Sequence, residues 1–261
     1  MLTQLRTLLR YRMLIHSLVA RDLKARYRGS VLGFLWSFIN PLLMLLIYGL
    51  VFGYVLVVPR SPTVEPYFLF LFCGILPWTW FQASIAESAG SLIAGGNLIK
   101  KVLFPAEVLP VVNVLANLAQ FGLGLPILLA FLVYERKLGW SALMLPLPVL
   151  VQLVFTIGLA LLVAALTVHF RDIQSILAHL LHLWFFATPV IYAYVEVKPS
   201  LRAILKLNPM THLVIAYQQM LFDDRFTDWR GLMGAAAAAV VLFGLGAALF
   251  DRLRDTLAEE V

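Results

Sequence analysis

Long apolar runs separated by short polar segments occupy most of this chain. A helix needs about 20 mainly apolar residues to cross a bilayer. Six stretches meet that need: 31–58, 67–93, 108–134, 141–168, 173–194 and 231–250. The pattern predicts an all-α polytopic membrane protein of six spans.

A basic segment precedes the first span. Arg21, Lys24 and Arg28 fall at i, i+3 and i+7, so they share one helix face, while Ile15, Leu18, Val19 and Leu23 form a second, apolar stripe. Such a helix lies at a membrane surface before the chain turns into the bilayer. With Arg6, Arg10, Arg12 and Arg26, seven basic residues cluster here, which argues for a cytoplasmic N-terminus. Six spans then bring both termini to the cytoplasm, with 12 of the 20 basic residues on that side.

Polar interruptions mark special positions. Asn40-Pro41 predicts a kink or break in the first span, because proline removes a helical hydrogen bond. Glu87, flanked by Ser84 and Ser88, is the single carboxylate of the second span and reads as a structural group, solvated or hydrogen-bonded between helices. Asn113, Asn117 and Gln120 share one face of the third span, which therefore points inward. In GGNLIKKVLFP, Gly95-Gly96 end a helix, Asn97 caps the next and Pro105 stops it. Leu98, Ile99, Val102, Leu103 and Phe104 alternate there with Lys100 and Lys101, giving a short amphipathic helix that rests on lipid or on a partner protein. Beyond Pro199, SLRAILKL and MTHLVIAYQQMLF flank Asn208-Pro209 and predict two helices too short to span, dipping into the outer face. The last span, with five alanines from Ala235 to Ala239, suits close helix packing.

Composition agrees: 62% of residues are hydrophobic, 13% are charged, and mean hydropathy is +0.90. The net charge of +6 collects at span ends, where anionic headgroups account for it without nucleic acid. Cys73 is the single cysteine, which excludes an internal disulfide and a cysteine-rich metal site. The N-terminal segment lacks the apolar core and cleavage site of a signal peptide. No P-loop occurs, so no ATP site of that kind is expected. His179 and His182 have no further metal ligand beside them, His169 with Asp172 reads as a polar pair at a helix end, and no catalytic constellation stands out. Trp36, Phe38, Tyr48 and Phe52 on the first span, with Trp184, Phe185, Tyr192 and Tyr194 on the fifth, read either as aromatic belts or as a conduit whose rings stack on sugars.

Five segments carry a family resemblance: RDLKARYRGSVLGFLWSFINPLL at 21–43, LIKKVLFPAEVLPV at 98–111, HFRDI at 169–173, FFATPVIY at 185–192 and LNPM at 207–210. Together they resemble the membrane subunit of type 2 ABC transporters that export cell-surface polysaccharides such as O-antigen, capsule and teichoic acid. The resemblance implies a bacterial inner-membrane homodimer bound to two copies of a cytoplasmic ABC ATPase, which holds ATP and Mg; this chain would carry no cofactor and be no enzyme. It implies an interface helix over 1–30, a six-span domain over 31–250 and a cytoplasmic tail over 251–261. Residues 97–105, with Asn97, Leu98, Lys100, Lys101, Val102, Phe104 and Pro105, would be the helix that couples to the ATPase. Residues 199–221, with Pro199, Asn208 and Pro209, would form the external gate. The conduit would run along the aromatics of spans one and five, with Arg26 and Arg28 at a lateral entrance, facing the phosphate of a lipid-linked glycan. A drug or small-lipid exporter, and a membrane enzyme acting on lipid-linked sugars, are the rival readings.

Overall fold

The computed structural model describes residues 7–51, 64–96 and 105–260, with side chains through residue 253. Among these residues the ordered elements are all helical. Helix α1 (Arg12–Arg26) ends in a turn through Gly29, whose φ of +82° suits a residue without a side chain. A 3-10 turn, Gly33–Leu35, leads into α2 (Trp36–Leu50). The long helices α3 (Tyr67–Ala94), α4 (Val108–Tyr134) and α5 (Pro146–His169) follow. Then come α6 (Ile173–Phe186), α7 (Pro199–Leu205), α8 (Pro209–Leu221) and α9 (Trp229–Glu260).

Helix α3 is apolar on every side, so it must be surrounded, and it is: α4, α5, α6 and α8 all pack on it. Trp78, Phe81 and Phe155, each at most 1% exposed, centre its core. The most extensive contact joins α5 to α9. Small residues let these backbones touch: a Cβ on Gly158 would stand 2.4 Å from the Phe243 nitrogen, and one on Gly246 would stand 2.5 Å from the Gly158 carbonyl oxygen. By contrast α2 and α6 present broad apolar faces outward, with Leu42, Leu46 and Ile47 exposed on α2 and Ile176, Leu180 and Leu183 on α6.

Among the described residues, five helices are long and apolar enough to cross a membrane, where the sequence predicts six spans. The fifth predicted span appears as the 14-residue α6, too short to cross alone. It stops because Pro189 has no N–H to donate and constrains Thr188; Ala187 and Thr188 close the last turn onto Leu183 and Phe185. Of the kink or break expected at Asn40-Pro41, the break is absent, since α2 runs on through Pro41. The stripe of α1 is not left free: Ile15 and Leu18 are buried against Val108 and Val112 of α4. Two short helices do flank Asn208, α7 exposed and α8 largely buried.

Candidate functional site

Two polar assemblies hold the least-covered helices to the bundle. The first is built around Arg26, on the last turn of α1. Its Nε donates to Asp22 Oδ2 at 2.8 Å, one helical turn back. Its Nη1 donates to Glu87 Oε1 and to Asn117 Oδ1, both at 3.1 Å, and its Nη2 donates to Glu87 Oε2 at 2.6 Å. Asn117 Nδ2 in turn donates to Glu87 Oε2 at 2.7 Å. One guanidinium fork thus ties α1 to both α3 and α4 in bidentate geometry. Burial acts to lower the Arg26 pKa, but the bonds and charges of Asp22 and Glu87 outweigh it and leave the pKa above its ordinary value. Arg26 is therefore a fixed cation. One turn further along α4, Gln120 Nε2 donates to the Tyr27 hydroxyl at 3.0 Å. The inward face expected from Asn113, Asn117 and Gln120 is thus a landing site for α1, and Glu87 bonds helices together as its setting suggested.

The second assembly centres on Asn208, the N-cap of α8. Its Oδ1 accepts from Met210 N at 3.0 Å and from Trp184 Nε1 at 2.9 Å. Its Nδ2 donates to the Ala187 carbonyl at 3.0 Å and to Thr188 Oγ1 at 2.9 Å. Asparagine suits this position because it caps with its oxygen while its amide stays free to donate, and Pro209 follows at the first helical position. The end of α6 and the start of α8 are thereby fastened at one side chain. His212, one turn into α8, adds a link to the start of α9 through Asp228, 2.6 Å away.

The predicted aromatics separate into groups. Trp184 and Phe185 face inward, with Trp184 5.2 Å from Phe81 and Phe185 5.6 Å from Trp78 between ring centroids. Tyr48 packs against the same core. Trp36 donates to Ser30 Oγ at 3.0 Å, and Phe38 meets Phe34 edge-on. The Tyr192 hydroxyl donates to the Phe186 carbonyl, and that of Tyr194 to the Arg202 carbonyl. Within one chain these rings do not make one continuous wall. Phe52 lies outside the described residues, as do Asn97, Leu98, Lys100, Lys101, Val102 and Phe104; Pro105 is described and buried. Arg28 is exposed, and His179 and His182 lie on the exposed side of α6. Sequence reasoning missed Tyr27 and Ser37. Tyr27 stands hidden among cations, and Ser37 has no charge or repeat to mark it.

A helical bundle with five apolar helices of membrane length among the described residues, an anchored N-terminal helix and a paired short-helix element has the architecture of a multi-pass membrane protein. The chain belongs to the ABC-2 type transporter family, whose pattern matches residues 13–222. It is 42% identical over 266 residues, covering 100% of both chains, to the O-antigen export system permease protein RfbA of Myxococcus xanthus. The protein of the same name from Klebsiella pneumoniae is 33% identical over 92% of this chain and 91% of its own length. The polysialic acid transport protein KpsM of Escherichia coli is 23% identical over 93% of this chain and 94% of its own. As a family member, this chain is a transport permease subunit and not itself an enzyme.

Proposed function

We propose that this chain is the permease of an ABC exporter that moves a lipid-linked polysaccharide, O-antigen or a related surface glycan, across the bacterial inner membrane. The full-length 42% identity to an O-antigen export permease carries the reading. ATP and Mg belong to a separate ATPase subunit. Two copies of this chain, each bound to one ATPase, would face one another through the outward apolar faces of α2 and α6, which the chain leaves uncovered. In that dimer Trp36, Phe38, Tyr48 and Phe52 join Trp184, Phe185, Tyr192 and Tyr194 along the conduit. Both termini are cytoplasmic, residues 97–105 contact the ATPase, and residues 199–221 gate the outer end. At the lateral entrance exposed Arg28 meets the glycolipid phosphate, while Arg26, engaged by Glu87, holds α1 in place beside it. The test is a deletion strain: surface polysaccharide should disappear, lipid-linked glycan should accumulate inside, and this chain supplied in trans should restore export. Normal surface polysaccharide in the deletion strain would refute the reading.

A further inference from the structure

A cavity of about 200 Å³ lies between α2, α3 and α4. Its polar lining includes Tyr27, Ser37, Asn40, Thr79, Asn117 and Gln120, and Pro41 stands among them. Two features converge on Ser37. Its Oγ is buried and finds no hydrogen-bond partner in the protein. Its carbonyl sits four residues before Pro41, so the helical N–H that would ordinarily bond to it does not exist. A buried hydroxyl left without a partner at membrane depth costs about 1–3 kcal/mol, and Pro41 removes the ordinary helical donor to the Ser37 carbonyl as well.

We infer that this cavity is a water-binding site, and that its water takes the place of the helix bond removed by Pro41. The lining supports it chemically. The Tyr27 hydroxyl accepts from Gln120 and still carries a proton to donate. Buried water needs two to four polar partners, and Ser37, Tyr27, Asn40 and Gln120 supply them around one space. The size argues against an organic ligand, since such pockets run to roughly 300–1,000 Å³, whereas several waters fit here. The site explains how α2 stays helical through Pro41, where the sequence predicts a kink or break. It also lets the first span bend there without stranding a carbonyl in hydrocarbon. The inference stands apart from the identity of any transported substrate.

Two tryptophans on one helix provide the test. Trp78 and Trp80 are 1% and 2% exposed, so bulk water reaches neither. Trp80 lines the cavity, whereas Trp78 packs against Phe81 and Phe185. Radiolytic hydroxyl-radical labelling of the full chain in lipid nanodiscs generates radicals from bound water. Trp80 should be oxidised several-fold faster than Trp78, and Ser37→Leu, which fills the space, should bring the two rates together. Should Ser37→Leu fail to fold, Gln120→Leu makes the same comparison from the opposite wall. Equal rates in the unmodified chain, or an unchanged ratio in the folded variant, would overturn the inference.

Discussion

Arg26 and Glu87 lie 61 positions apart in the chain and 2.6 Å apart in space. The pair is only partly shielded, with side-chain exposures of 21% and 37%, so its worth falls between a surface and a buried ion pair. A double-mutant cycle with Arg26→Met and Glu87→Met should return a coupling energy of about 1 kcal/mol in thermal unfolding of the detergent-solubilised protein. Strict additivity would show that the fork does not hold α1. Arg26 was legible as one of a basic cluster, and the family resemblance paired it with Arg28 at an entrance, but neither pointed to its partner. Glu87 was legible as a carboxylate with a structural task, and Asn117 as an inward-facing amide. Nothing local in either stretch says that α1 folds back onto them, because that depends on the turn at Gly29 and on the apolar contact of Ile15 and Leu18 with α4.

At the scale of elements, hydropathy read the bundle well where helices are long. Helices α3, α4, α5 and α9 appear close to the positions that their apolar runs predict. Reading failed where proline decides. Pro189 ends α6 early and Pro41 is carried inside α2, whereas Pro77 and Pro126 lie inside helices as their predicted spans require. The outcome depends on whether neighbouring groups satisfy the freed carbonyl, which a sequence window does not reveal. The seam between α5 and α9 yields a sharp expectation. Gly158→Val would push a side chain into the backbone of Phe243, so the helices must separate at a cost of about 1–3 kcal/mol. A lowered melting temperature and loss of the monodisperse species in size-exclusion chromatography should follow. Gly122, around which no atom lies within 4 Å of an added Cβ, provides the control.

At the scale of the whole molecule, membership of the ABC-2 type transporter family implies an ABC ATPase partner. The segment with Lys100, Lys101 and Phe104 is the proposed point of attachment. Replacing Lys100 and Lys101 together with Phe104 by alanine should abolish co-purification of the ATPase and stop export, while the permease still inserts and keeps its melting temperature. Retained co-purification and export would move the docking surface elsewhere. The family was legible in five short motifs, taken together and in order along the chain. The uncovered faces of α2 and α6 were not legible, since an apolar residue facing lipid and one facing a second protein look alike in a hydropathy profile.

The glycine contact between α5 and α9 also bears on how the protein is made. Membrane insertion proceeds from the N-terminus, so α5 enters the bilayer before its most extensive neighbour has been synthesised. Until α9 arrives, Gly158 presents bare backbone where Phe243 will later sit. Docking of α9 is therefore the last of the helix contacts along α5 to form. A chain that stops before Trp229 would leave the α5 face at Gly158 uncovered.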